Sequence, residues 1–336
     1  MPLMSKRADE SGVSSRGLIA VDKLANKIRF YDPATLTETK VLDSPEKTVH
    51  ELAVSHDYRK AFVPLYGDGV YGNNPDPNNK LLVVDLESKT IDGMIDLGEY
   101  KAPHGIAATS DGKVWVATDS SNHLLLVDPA ERIVEASYRA SGKGAHFLTL
   151  LPDESKLYIS NKEGPVCAFD VCQRKFIETI SIGRKGVISG NGSGGEGITP
   201  TPDGKHVLVV DNADSDIRVI DTTTDREINR VPLRDRALTN PKRSRLMKLM
   251  FSPDGRHLVV TSYGAGQTWV IDAGNFRNQS MISVAKGPQG IAFAPDGQTA
   301  LVSSHDSGLI TRIDLGLGKA VDFVDGGVGI EVITFY

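Results

Sequence analysis

Seven residues recur at one register of this chain: His50, His104, His146, Glu196, Met247, Gln289 and Glu331. Six of them open the segments HELAVSHD, HGIAATSD, HFLTLLPD, EGITPTPD, MKLMFSPD and QGIAFAPD, which share a closing Asp; matching EVITF to EGITP adds Glu331. Imidazole and carboxylate are suitable ligands for Zn²⁺, Fe²⁺ and Mn²⁺. His50, His104, His146 and Glu196 are therefore the candidate ligands of one divalent transition metal. Such a metal acts as a Lewis acid on a carbonyl or carboxylate, or activates water or O₂. Glu331 would precede His50 around a ring and is a candidate to orient a ligand imidazole. A metal-free acid/base site would use the same residues, and so would a structural ring at a water-filled channel.

Proton transfer falls to Glu196, Glu331, Tyr263 in TSYGAGQ and His305 in SSHDSG. Three long loops could shape a pocket. Residues 66–79 carry Tyr66 and Tyr71, residues 184–195 carry Arg184 and Lys185, and residues 234–246 carry Arg234, Arg236, Lys242, Arg243 and Arg245. The last two loops hold seven basic residues against Asp235, in a chain of net charge −5. A small anionic substrate is expected, bound by Tyr71, Arg243, Arg245, Met247 and Gln289, with Met247 as a soft apolar wall. A solvated loop or a partner-docking surface is the alternative reading of the basic residues.

The elements that must position these groups are short strands. The shared Asp residues lie 42 to 54 positions apart. Each unit runs in the same order: an apolar strand, a turn such as SPDG, a second strand such as HVLVVD, a third ending in Asp such as IRVIDT, and a fourth such as EINRVP. Four strands per unit of this length mark a propeller blade, whose first strand lines the central channel. Because side chains alternate along a strand, the seven residues project at one level of the channel mouth. Six full units start at residue 50. Residues 17–43 supply strands two to four of a seventh, and 331–336 supply its first strand, so the two ends would close the ring. The expectation is one all-β seven-bladed propeller of four-stranded antiparallel blades over 16–336, after a disordered tail at 1–15.

Units such as GIAFAPDG…ALVSSHDSGLITRIDL and HVLVVDNADSDIRVIDTTTDREINRV resemble the YVTN-type repeats of lactonase-like seven-bladed propellers. The resemblance covers nearly the whole chain. It implies the fold directly, and for activity it implies a range: lactone hydrolases, lactonizing isomerases, lyases and non-enzymatic binding proteins. A metal-dependent lyase, isomerase or lactone hydrolase acting on a small anionic molecule follows as the expectation, with a non-haem oxygenase also compatible. The alternative is a non-catalytic scaffold that binds a protein partner.

Other features exclude classes of function. The acidic balance argues against nucleic acid. ISGNGSGGEG lacks the Lys-Ser/Thr ending of a phosphate loop, and no G-x-S-x-G occurs. Cys167 and Cys172 are too far apart along one strand to pair. No run of 18 apolar residues and no signal-peptide core is present, so a cytoplasmic protein without a membrane partner is expected.

Overall fold

The computed structural model describes residues 16–182, 195–212, 214–233 and 245–336. These residues form 28 strands, β1 to β28 in chain order, and no helix. The strands sort into seven four-stranded antiparallel sheets: a seven-bladed β-propeller. The inner strands are β4 (Ala53–Val54), β8 (Pro103–Ala108), β12 (Lys143–Leu150), β16 (Gly195–Pro200), β20 (Leu246–Phe251), β24 (Pro288–Phe293) and β28 (Ile330–Phe335). The first six pair with second strands β5 (Lys60–Gly67), β9 (Val114–Thr118), β13 (Lys156–Glu163), β17 (His206–Asp211), β21 (His257–Ser262) and β25 (Thr299–Ser304).

The ring closes as the repeats imply. β28 pairs antiparallel with β1 (Leu18–Asp22), Leu18 facing Phe335, and the sheet continues through β2 (Lys27–Tyr31) and β3 (Glu38–Asp43). Gly17 and Tyr336 extend the seam with backbone hydrogen bonds of 3.2 and 3.1 Å.

Burial explains the sequence pattern. Second strands such as β9 are buried on both faces and read as continuous apolar runs. The apolar core divides into seven clusters, each shared by two neighbouring blades; Ile19 and Phe30 of the first blade, for example, meet Val63 and Leu82 of the next.

The shared Asp is structural. Asp57, Asp111, Asp153, Asp203, Asp254 and Asp296 each accept from the backbone N–H two residues on, at 2.8 to 3.3 Å. The next residue takes positive φ, as Gly in four turns and as Tyr58 and Glu154 in the other two.

Both thiols are free, Cys167 buried and Cys172 exposed. Among the described residues no helix is long and apolar enough to cross a membrane. The tail at 1–15, and Arg184, Lys185, Arg234, Arg236, Lys242 and Arg243, lie outside the described residues.

Candidate functional site

The channel mouth is built on a repeated irregularity. Pairing of inner and second strands shifts register between Pro103 and Ile106, Ala145 and Leu148, Gly195 and Ile198, Leu246 and Leu249, and Pro288 and Ile291. In the closing blade the ladder likewise passes over Glu331. A β-bulge leaves residues out of the ladder and re-aims their side chains. Strict alternation would send only the first residue of each pair to the channel; the bulge turns Phe147 and Lys248 toward it as well, while Val332 stays paired with Val21 and packs between blades. Second-strand hydroxyls satisfy the freed backbone: Ser160 donates to the Glu196 carbonyl at 2.7 Å, and Thr261 to that of Gln289 at 3.1 Å.

The second residues are Glu51, Gly105, Phe147, Gly197, Lys248, Gly290 and Val332. The three glycines have no room for a side chain. A β-carbon would come 2.3 Å from the His146 carbonyl oxygen at Gly105, 2.4 Å from that of Met247 at Gly197, and 2.8 Å from that of Glu331 at Gly290.

His50, His104 and His146 converge. The ring centroids of His50 and His104 lie 4.4 Å apart, and those of His104 and His146 lie 3.5 Å apart. Their exposures are 7%, 1% and 5%. Tyr66 and Phe147 set ring edges against this cluster. His104 Nδ1 is buried without a hydrogen-bond partner among the described residues. One donor atom from each of His50, Glu51 and His104 falls within 4.8 Å of the others. His146 sits to one side, its Nε2 3.7 Å from Glu196 and its Nδ1 3.6 Å from Asp119.

Three lysine–glutamate pairs surround the imidazoles. Lys162 Nζ lies 2.6 Å from Glu196, Lys248 Nζ 2.7 Å from Glu51 across the channel, and Lys23 Nζ 3.6 Å from Glu331. Glu331 in turn lies 2.5 Å from His50 Nδ1. A second ring stands above the first. The residues after the core of each second strand are Lys23, Tyr66, Asp119, Lys162, Asn212, Tyr263 and His305, one per blade. Tyr66 donates to Asp119 at 2.5 Å, and Tyr263 donates to Asp306. His305 Nδ1 lies 3.0 Å from Asp306.

A cavity of about 140 Å³ lies between the rings. Among the residues expected from the sequence, His50, His104, His146, Tyr71, Arg245, Met247, Tyr263, Gln289, His305 and Glu331 line it. Glu196 is behind His146 rather than on the wall. Asp211 and Asn212, at the end of β17, do not line the cavity: Asp211 pairs with Arg218, and Asn212 bonds the backbone of Leu246. Sequence reasoning missed Glu51, Phe147 and Lys248, because alternation hides a bulge. It also missed Lys23 and Asp119, which stand at second-strand ends that share no residue type.

Burial holds His104 and His146 well below the ordinary histidine value, and the positive charge of Lys162 adds to the effect. Burial also lowers His50, against the pull of Glu331. Burial pushes Glu331 up, but the His50 ring and Lys23 outweigh it and keep this carboxylate ionised. Burial raises Asp119 to about 6. Burial and then Asp306 raise Tyr263, which stays a proton donor.

One pH effect follows. Below the ordinary histidine value of 6.5, the unfolded chain takes up protons that the three buried imidazoles refuse. The unfolded state then binds more protons, so stability is lost as the pH is lowered. Asp119, at about 6 against 3.8, opposes this over its own window. In chelator-treated protein, going from about pH 7.5 to about 5.5 should cost roughly 2–3 kcal/mol in urea unfolding. Equal stability at the two pH values would overturn the neutral assignment.

No protein-family model matches the chain, and neither does any curated protein. Solved structures match in fold. Hydrazine synthase of Kuenenia stuttgartiensis superposes with TM-score 0.70 at 16% identity, over 88% of this chain and 93% of that one. A functionally unknown protein from Desulfotomaculum acetoxidans gives TM-score 0.71 at 14% identity, over 94% of this chain and 98% of that one. At such identities the likeness is one of fold: this chain shares a propeller architecture with both.

Proposed function

We propose that the channel mouth is the active site of a metal-dependent enzyme that transforms a small anionic organic molecule. The observation that carries this reading is the cluster of three buried imidazoles from consecutive blades, beside carboxylates of the same ring. Burial favours the neutral imidazole, which is the form that binds metal. Bound Zn²⁺, Fe²⁺ or Mn²⁺ would supply Lewis acidity or an activated water or O₂.

The chain's own residues have distinct tasks. Arg245, stacked over Tyr263 at 4.9 Å, supplies the rim cation for a substrate carboxylate. The deeper lysines are already balanced by glutamates. Met247 and Phe147 form apolar walls for the carbon skeleton. Tyr263 and His305, joined through Asp306, face the same cavity and move the proton. Lyase, isomerase and lactone hydrolase chemistry fit, in keeping with the resemblance to lactonase-like repeats, and a non-haem oxygenase fits the same ligands. A scaffold function is the second reading. It is favoured by Met281, Val321 and Phe323, which stand exposed on outer strands.

Protein purified without chelator should carry about one transition-metal ion per chain by elemental analysis. Returning Zn²⁺, Mn²⁺ or Fe²⁺ to metal-free protein should raise Tm, by about 2.7 kcal/mol of added stability at a hundredfold excess over Kd. A Tm unmoved by all three metals removes the metal from this reading and leaves acid/base chemistry or the scaffold.

A further inference from the structure

We infer that the carboxylate ligand of the metal is Glu51, and that Lys248 competes with the metal for it. The inference rests on the metal-dependent reading above and changes its ligand set from His50, His104, His146 and Glu196 to His50, Glu51 and His104.

Geometry separates the two glutamates. Donor atoms of His50, Glu51 and His104 fall within 4.8 Å of one another, close enough for a single ion to draw them together. All three residues are at most 7% exposed, so a site there is screened from bulk water. Among the described residues His104 Nδ1 is buried with no hydrogen-bond partner, as are His146 Nδ1 and Glu196 Oε2, so the donor distances and not the orphaned atoms separate the two sets. Glu196 belongs to a different group. It lies beside His146 at 3.7 Å and is held by Lys162 at 2.6 Å on the far side of the cluster. Two imidazoles and one carboxylate, with the other positions open, are the donor chemistry of sites that bind Fe²⁺, and they suit Zn²⁺ and Mn²⁺ as well.

Neither His50 nor Glu51 is free to bind without a change: Lys23 Nζ lies 3.4 Å from His50 Nε2, an ammonium that must swing toward Glu331, and Glu51 is held more closely. Lys248 reaches across the channel from β20 and places its ammonium 2.7 Å from the Glu51 carboxylate. Lys248 holds Oε2, and its positive charge opposes a divalent cation at the same carboxylate whichever oxygen the metal takes. The same ammonium lies 5.2 Å from the centre of the Phe147 ring, a contact it can keep if it loosens from Glu51. Lys248 therefore weakens metal affinity by a set amount, and removing its charge should strengthen it.

Zn²⁺ affinity, measured by chelator competition on the full chain, tests this, and the absorption of the Co²⁺ form reports the donor set independently. Lys248→Met should tighten Zn²⁺ binding on the order of tenfold, the strength of one charge-assisted hydrogen bond. Glu51→Gln should weaken it by at least about tenfold and shift the Co²⁺ spectrum, whereas Glu196→Gln should change affinity by less than about threefold. If Glu51→Gln alone fails to fold because Lys248 is left unpaired, the double variant Glu51→Gln/Lys248→Met carries the same comparison against Lys248→Met. Loss of Zn²⁺ in Glu196→Gln, or unchanged affinity in Glu51→Gln or Lys248→Met, overturns the inference while the metal reading stands. Wild-type protein that binds neither Zn²⁺ nor Co²⁺ overturns the metal reading itself.

Discussion

Deleting residues 330–336 is expected to leave no cooperatively folded protein. The segment contributes all of β28, the inner strand of the closing blade. Ile330, Val332, Ile333 and Tyr336 are at most 8% exposed, and they belong to the two clusters that flank that blade. Burying four such side chains is worth roughly 1.5–3 kcal/mol each. Their sum is comparable with the whole stability of a typical domain, about 5–15 kcal/mol. The deletion also strips β1 of its partner and exposes an unpaired strand edge, which invites aggregation. Calorimetry should show no cooperative transition, and sedimentation should show large aggregates. A permutant carrying 330–336 ahead of residue 17 restores the same strand from the other end and should melt near the wild type. A truncated protein that melts at the wild-type Tm would sink this account of ring closure.

Alanine at His104 should empty the site and spare the fold. His104 is the central imidazole, in ring contact with His50 on one side and His146 on the other. It lies in the bulge and outside the apolar clusters between blades. Its loss removes a ligand common to both ligand sets considered above, so bound metal should fall at least about tenfold. The cavity left behind should cost a modest part of the stability, about 1–3 kcal/mol. Elemental analysis and thermal melts together test this. Wild-type metal content in His104→Ala would place any metal away from the ring. Collapse of the fold would make His104 a packing residue.

The architecture was legible because it repeats. The shared Asp marks the turn after each inner strand, since its carboxylate must bind the N–H two residues on, and that requirement survives when Gly gives way to Tyr58 or Glu154. The first ring was legible for the same reason: an alignment anchored on the Asp brings His50, His104 and His146 into register. The second ring was legible only in part: Tyr66, Tyr263 and His305 stood out in their loops, whereas Lys23 and Asp119 did not. Second strands end on Lys23, Tyr66, Asp119 and Lys162 with no shared letter, and the loops that follow differ in length. Glu51 and Lys248 were hidden by a physical rule that is right elsewhere. Alternation holds along a regular strand, and the bulge suspends it at the two positions that face the channel. Pairings such as Glu51 with Lys248, 197 residues apart, are properties of the closed ring and of no local segment.

The pressed glycines carry a consequence of parity. Going round from the second blade, the second bulge positions read Glu51, Gly105, Phe147, Gly197, Lys248 and Gly290, so a side chain and a bare backbone take turns. An even ring could keep that order indefinitely. Seven is odd, and one neighbouring pair must break it: Val332 of the closing blade and Glu51 of the next. There Val332 stays in the ladder against Val21 and packs in the apolar cluster between the two blades, and the inner strand shrinks to Ala53–Val54. The break that an odd count imposes thus falls on an apolar contact between the closing blade and the blade that carries His50.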